Sequence, residues 1–315
     1  MIEQVTVTTG SRLHFGPLAV RPSSGREFGG IGLMVDSPRC VLTVSRADAD
    51  DVVAGSESER IARWLLRYRE QSPRSETGYR IELHEAIPRH SGFGSGTQTA
   101  LALARGLAEL HGERDVPSVE LARLVGRGRR SAVGIHGFDR GGFLVDAGRA
   151  EGETLGTLAS RLSLPEQWRL VLITPRSGTT MSGQSEQSAF DRLPSMPAAT
   201  TDRLSSVVLR KLLPAIQSCD VESFNEGLET YGGIVGAYFA PAQGGLFADA
   251  RGARLAEQGV RGVVQTSWGP TLCVCRANEG SADAFADSLR ANEEWSDCTI
   301  RVVKGMNSGA AVMEG

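Results

Sequence analysis

Runs of apolar residues along the 315-residue chain predict an ordered series of strands and helices. Strand-like runs lie at Val5 to Thr8, Val41 to Arg46, Tyr79 to His84 and Phe143 to Val145, with helical patterns at Glu57 to Gln71, Thr97 to His111 and Val119 to Gly126. The clearest helix is that from Thr97, where Leu103, Leu107 and Leu110 recur at spacings of three and four and alanines fill much of the rest. A polar, irregular stretch from Ala150 to Gln167 follows. It divides the chain into an N-terminal domain, 1–160, and a C-terminal domain, 161–315. The second half opens with a strand at Arg169 to Thr174. Helical stretches follow at Thr201 to Ser218 and Val221 to Phe239, then paired strands at Gly262 to Thr266 and Thr271 to Cys275. A helix at Ser281 to Asn292 and a strand at Thr299 to Lys304 complete the series. With the two consecutive helical stretches merged into one crossover layer, the order is βαββαβ, a ferredoxin-like plait. The fold class read from this is α+β.

Charge narrows the function classes. The 34 basic and 37 acidic side chains give a net charge of −3, which lacks the basic excess that broad nucleic-acid or anionic-membrane binding needs. No apolar stretch approaches membrane-spanning length and the start, MIEQVTVTTG, has no signal-peptide pattern, so a soluble cytoplasmic protein is expected. Five cysteines are scattered. Cys273 and Cys275 form a CxC on an expected strand without a second ligand pair, which reads as buried thiols and not as a metal site.

The strongest chemical signal is IPRHSGFGSGTQTALALARGL, residues 87–107. Gly92, Gly94 and Gly96 free the backbone, Ser95 and Thr97 are suitable cap residues, and a helix follows. Bare amides at a helix start make an anion cradle, so the expected ligand is a phosphate. A second stretch, GRGRRSAVGIHGFDRGGF (residues 126–143), places Arg127, Arg129 and Arg130 between glycines, with Asp139 and Arg140 shortly after. Guanidinium forks there suit phosphate or carboxylate oxygens, and the lone His136 reads as structural. A third signal is SRLHFGPL, where Arg12 and His14 share one face of a strand, paired with the glycines of REFGGIGLMVD. Gly29, Gly30 and Gly32 imply close approach to a ligand or to another backbone segment. The fourth is VVQTSWGPT, residues 263–271, where Trp268 reads as core or as a stacking platform, and Gln265 and Ser267 as polar neighbours. The small-polar loop Ser177 to Gln187 is a flap or a plain surface loop.

These motifs carry a resemblance. PRHSGFGSGTQ resembles the phosphate loop of the GHMP kinase superfamily, whose fold joins an N-terminal domain like domain 2 of ribosomal protein S5 to a ferredoxin-like C-terminal domain. Two departures separate the chain from the kinases: Gly96 and Thr97 stand where kinases usually carry a second Ser and an Ala, and QTSWGP replaces a glycine-rich third motif. With SRLHFG, FGGIGL, GSGTQ, GRGRRS, FDRGGFLVD and QTSWGPT, the chain is similar to the β-ribofuranosylaminobenzene 5′-phosphate synthases from near residue 11 to near residue 271.

The resemblance implies a phosphoribosyl C-glycosyltransferase of tetrahydromethanopterin biosynthesis. Such an enzyme joins phosphoribosyl pyrophosphate to 4-aminobenzoate or 4-hydroxybenzoate with loss of CO2 and pyrophosphate, with Mg²⁺ as expected cofactor and a homodimer as expected assembly. Catalytic roles would fall on Ser95 and Asp139. Substrate binding would fall on Arg12, His14, Gly92, Gly94, Gly96, Thr97, Gln98, Arg127, Arg129, Arg130, Arg140, Gln265, Ser267 and Trp268. Two alternatives stand beside it: a C-nucleoside synthase using a heteroaromatic carboxylate, and a small-molecule kinase using ATP. A non-catalytic relative is a third.

Overall fold

A computed structural model of the chain describes residues 2–48, 50–72, 78–176, 192–266 and 269–315. The first half contains β1 (Gln4–His14), β2 (Gly30–Ala47), β3 (Val52–Ala54), α1 (Ser58–Gln71), β4 (Gly78–Glu85), α2 (Ser95–Leu110), α3 (Ser118–Leu124), α4 (Val133–Arg140), β5 (Phe143–Asp146) and β6 (Leu158–Leu162). The second contains β7 (Arg169–Pro175), α5 (Ala198–Val207), a π-helical segment (Val208–Leu212), α6 (Leu213–Gln217), α7 (Val221–Gln243) and α8 (Ala250–Glu257). It continues with β8 (Val264–Gln265), β9 (Leu272–Arg276), α9 (Glu279–Arg290), β10 (Cys298–Lys304) and β11 (Ala311–Glu314).

Two sheets organise these elements. In the first the path runs β11-β1-β2-β4-β3, and β5 pairs with both β2 and β6. β2 serves two neighbours in turn: Gly30 to Leu33 pair with β5, and Val41 to Ala47 pair with β4. Helix α2 lies against β1 and β2, and from Gln98 to Leu110 every residue is buried, because its alanines and leucines present an apolar surface all round. The second sheet runs β10-β7-β9-β8, all pairs antiparallel. That is the ferredoxin-like order expected from the sequence, and the fold is α+β. Its joint with the first domain is aromatic: Phe224 of α7 packs edge-on to Phe143 of β5 and lies 5.1 Å from Trp168.

Several elements carry no clear sequence pattern and emerge only here. β3, β6, α4, α8 and β11 are all short. α4 falls inside the stretch read as a glycine–arginine loop; its two internal glycines weaken the helical pattern, and burial of Val133, Ile135 and Phe138 overrides them. β6 spans the position of the expected division at residue 160, and β11 returns to pair with β1 in the first sheet. The glycine run of β2 is explained by backbone approach: a β-carbon on Gly32 would collide with the Leu13 carbonyl. Cys273 and Cys275 are buried thiols, and burial pushes Cys275 up to about 12. The loop Ser177 to Gln187 lies outside the described residues.

Candidate active site

A cavity of about 1090 Å³ opens between the two domains, and the N-terminus of α2 forms one of its walls. Gly94 caps that helix in the left-handed conformation, φ +69°. Ser95 is thus the first helical residue, and its side chain is not the cap expected from sequence; a left-handed cap position favours glycine, and the Ser95 hydroxyl lines the cavity instead. The first amides of a helix have no carbonyl partner within it; Thr97 already donates to the Gly94 carbonyl at 3.0 Å, so Ser95 and Gly96 are the residues that bring unused amides and the positive end of the helix dipole to the cavity wall. The loop before them is held from both sides. Arg12 of β1 donates its amide to the Phe93 carbonyl at 3.0 Å, and Thr271, just before β9, donates its hydroxyl to the Ser91 carbonyl at 2.7 Å.

Arginines surround this helix start. Arg12, Arg67, Arg123, Arg127, Arg129, Arg130 and Arg149 line the cavity; among the described residues Glu153 is the one carboxylate beside them on the lining, and Arg123 and Arg149 pair with Glu120 and Glu27. The Arg127 guanidinium donates to Thr97 Oγ1 at 3.3 Å, and a β-carbon on Gly96 would collide with Arg60. Burial, with repulsion from Arg60, Arg130 and Arg129, lowers Arg127 to about 10. These charges are held together against their mutual repulsion, an arrangement that a polyanion relieves. The loop carrying Arg127 to Arg130 is fixed from behind by Asp146, fully buried, whose carboxylate accepts from the amides of Ala132 at 2.7 Å and Gly148 at 2.8 Å. Burial raises the Asp146 pKa, and those two hydrogen bonds oppose the shift.

The other end of the cavity is apolar. Phe15 and Pro17 come from the first half of the chain, and Val235, Phe239, Leu246 and Phe247 from α7 and the segment after it; Phe28, beneath the Arg149 guanidinium at 4.9 Å, and Leu155, against Gly128, belong with the arginine lining. Tyr231, one turn before Val235, ties α7 to the first domain by donating to the Gly16 carbonyl at 2.9 Å. His14 stands where the two ends meet. Burial, then the nearby Arg12 charge, lowers its pKa to about 3, so the imidazole is neutral at pH 7.

Most of the residues expected at the site converge on this cavity: Arg12, His14, Gly92, Gly94, Ser95, Gly96, Thr97, Arg127, Arg129, Arg130 and Gln265 all line it. Three do not. Gln98 is fully buried, accepting from Thr9 Oγ1 and donating to the Gly134 carbonyl, both at 2.8 Å, so it bolts α2 to β1 and α4. Asp139 lies near the end of α4, which runs away from the cavity, and its carboxylate accepts from the Ser118 amide at 2.9 Å. Arg140, exposed beside it, offers its carbonyl to Arg161. His136 hydrogen-bonds the Gly156 carbonyl at 2.9 Å. Gln265 accepts from the Ala248 amide at 2.6 Å and so holds the segment behind the apolar end. Ser267 and Trp268 lie outside the described residues. Sequence reading missed Arg67, Arg123 and Arg149, which resemble ordinary surface charges in the chain, and the Val235–Phe239 face of α7, whose i,i+4 spacing is also that of any core helix.

The donor set does not fit a protein-held magnesium ion. Among the described residues Glu153 is the one carboxylate on the lining and is paired with Arg26, and no three His, Cys, Asp or Glu side chains converge.

Comparison with known proteins identifies the fold and the family. Residues 59–144 match the GHMP kinases N terminal domain. Solved structures of similar fold include homoserine kinase from Cytophaga hutchinsonii, with TM-score 0.67 and 16% identity over 99% of this chain and 98% of that one. Another is mevalonate diphosphate decarboxylase from Enterococcus faecalis, with TM-score 0.66 and 13% identity over the whole of both chains. Among curated proteins, the beta-ribofuranosylphenol 5'-phosphate synthase of Methanothermobacter thermautotrophicus is 33% identical over 248 residues, 72% of this chain and 75% of that protein. Its namesake from Archaeoglobus fulgidus is 27% identical over 96% of this chain and 98% of its own. On these matches, and with a phosphate loop and arginine cluster in the places described, the chain belongs to the beta-ribofuranosylphenol 5'-phosphate synthase family, within the GHMP kinase fold.

Proposed function

We propose that the chain condenses phosphoribosyl pyrophosphate with 4-hydroxybenzoate or 4-aminobenzoate, releasing pyrophosphate and CO2. The observation that carries the reading is a single cavity with seven arginines and a helix N-terminus at one end and an aromatic–aliphatic wall at the other. A donor with two phosphorylated arms and an acceptor with a flat apolar ring need those two environments side by side. The relatives' name, a ribofuranosylphenol phosphate, describes what 4-hydroxybenzoate would leave after decarboxylation, and we take it as the preferred acid.

In this proposal the C1–O bond of the ribose breaks with its electron pair going to pyrophosphate. The amides of Ser95 and Gly96, the Ser95 hydroxyl and Arg127 receive the developing charge as fixed donors. The arginines of the 127–130 loop and Arg149 hold the remaining anionic groups. The ring carbon bearing the carboxylate bonds to C1, the C–CO2 pair returns to the ring, and CO2 leaves. Phe15, Val235 and Phe239 line the space where the ring would lie, and their apolar surface keeps water from the electrophilic C1. Magnesium enters only as a counter-ion carried by the pyrophosphate, since the described lining offers it no cage; no step here depends on it. The homodimer expected from the family resemblance belongs to the same proposal, and sedimentation of the purified chain tests it.

The test is incubation with phosphoribosyl pyrophosphate and a panel of aromatic carboxylates, with CO2 and pyrophosphate both measured. Equal release of the two, dependent on the acid, is the expected result. Pyrophosphate without CO2 is hydrolysis and overturns the proposal; ATP turnover with a small alcohol replaces it with a kinase.

A further inference from the structure

We infer that Arg67 and Arg129 hold the 5′-phosphate of the phosphoribosyl donor in a second anion site, with Arg127 shared between it and the pyrophosphate site; the assignment rests on the function proposed above. The lining arginines differ in what already neutralises them. Arg123 meets Glu120 and Arg149 meets Glu27, each at 3.2 Å. Among the described residues the side chains of Arg67 and Arg129 have neither a carboxylate partner nor a hydrogen bond, and that of Arg127 has only the Thr97 hydroxyl. The fold brings Arg67 to this place from α1. Its guanidinium occupies the space over Gly126, where a β-carbon would sit 2.2 Å from Cζ, and Gly126 is left-handed, φ +65°. Arg67 thus lies against the residue that precedes Arg127, with Arg129 two positions beyond on the same loop. Three guanidiniums gathered on one loop without a carboxylate among them are what a doubly charged anion balances.

The two substrates carry three anionic groups, and chemistry selects among them. Pyrophosphate has the helix start, with Ser95, Gly96 and the Arg127 fork that donates to Thr97. The carboxylate of the aromatic acid is a poor occupant for clustered arginines. It departs as CO2, and guanidiniums bonded to its oxygens would hold the charged ground state and raise that barrier. The 5′-phosphate takes no part in bond making, and a phosphate monoester carries about −1.5 to −2 charge at pH 7. Gripping it costs the reaction nothing. The spacing agrees. Arg127 directly follows Gly126, yet its guanidinium lies 3.3 Å from where a β-carbon of Gly96 would be. The two anion sites are therefore one arginine side chain apart, a span comparable with that of a ribose from C1 to C5. Exposure agrees too: Arg67 and Arg129 are exposed, so the phosphate they hold stays at the mouth of the cavity while C1 lies further in.

The assignment is tested by calorimetric titration of the full chain with ribose 5-phosphate, ribose and inorganic pyrophosphate, at about 0.15 M ionic strength so that distant charges are screened. Arg67→Leu and Arg129→Leu should each weaken ribose 5-phosphate about tenfold, the scale of a hydrogen bond to a charged group, and leave the pyrophosphate constant unchanged. Leucine is a good helix former, so the exposed α1 position tolerates it. Arg67→Lys, which keeps the charge but not the fork, should recover part of the loss. Ser95→Ala should show the reverse selectivity, and Arg127→Leu should weaken both ligands. In turnover, Arg67→Leu should narrow the preference for phosphoribosyl pyrophosphate over its 5-dephospho analogue by the same factor. Wild-type protein that binds ribose 5-phosphate no more tightly than ribose overturns the assignment. So do Arg67→Leu and Arg129→Leu proteins with an unchanged ribose 5-phosphate constant, or with an equal loss for pyrophosphate, which would show a diffuse field in place of a site. Failure of the underlying function shows itself separately, as wild-type protein that binds both ligands in this pattern and releases no CO2 with any acid.

Discussion

The two ends of the cavity are built by different means. At the cationic end the backbone sets the geometry: Gly94 fixes the helix start, Ser95 and Gly96 follow it on the cavity wall, and Asp146 anchors the arginine loop from behind. At the apolar end side chains make the surface, and the backbone enters chiefly at Gly16, whose φ of +118° and missing β-carbon let Val235 pack against it. The wall is made by one face of α7 carried across from the second domain and held by the Tyr231–Gly16 hydrogen bond. The first region depends on a few backbone positions and clustered charges, and the second is spread over several apolar side chains. The difference separates positioning by fixed donors from recognition by shape.

Gly94→Val should be the most damaging change, because it forces a branched residue into the left-handed region and against Arg12. We expect CO2 release to fall by about 1,000-fold, on the scale of losing fixed oxyanion donors; activity within tenfold of wild type would show that the loop does not hold the leaving group. Arg127→Leu should move function and stability in opposite directions. The KM for phosphoribosyl pyrophosphate should rise by about 100-fold, on the scale of a charge-assisted contact. Tm should rise by a few degrees, because a charge held against burial and its neighbours is gone; a lower Tm would contradict that cost. Ser95→Ala should lose about 2 kcal/mol of transition-state stabilisation, read as a drop in kcat with little change in KM.

The seam between the ends has a pH signature. The folded pKa of His14, about 3, lies below the unfolded value of 6.5. The unfolded chain binds the proton first, so the stability this group contributes is complete above pH 6.5 and is lost as the pH falls towards 3. His14→Asn should flatten the acid limb of stability against pH by up to about 1.4 kcal/mol per pH unit in that window. Parallel limbs in urea titrations of the two proteins would contradict a buried, neutral His14. The smallest effect belongs to the wall. Phe239→Leu should raise the KM for the aromatic acid by about threefold to tenfold, the worth of an aromatic contact, and leave that for phosphoribosyl pyrophosphate alone. If both constants rise together, the two ends are not separable and the comparison fails.

The same contrast explains what could be read from the chain. Gly94, Ser95 and the arginines at 127, 129 and 130 were legible because helix starts and glycine-bounded charges leave local marks. The ferredoxin-like order was legible because each strand is flanked by a clear helix. Asp139 and Arg140 were misplaced because α4 begins at Val133, so residues only a few positions beyond the arginine loop are carried away along a helix. Gln98 sits among phosphate-loop residues in sequence, yet one helical step turns it into the core between β1 and α4. The wall on α7 left no mark because Val235 and Phe239 would look the same packed against a sheet; only the meeting of two domains makes that face a lining.

The pairing of β1 with β11 has a consequence for how the chain reaches its native state. Thr8 stands opposite Ala311, so the outer pairing of the first sheet joins segments separated by both domains. Such a contact closes a very long loop, and its entropy must be met before any ladder bond repays it. During synthesis β2 and α2 can pack on β1 while its other edge waits, exposing unpaired amides and carbonyls until the second sheet has formed and residues 311–314 arrive. That waiting edge is the place where a nascent or partly unfolded chain is most open to pairing with another copy of itself.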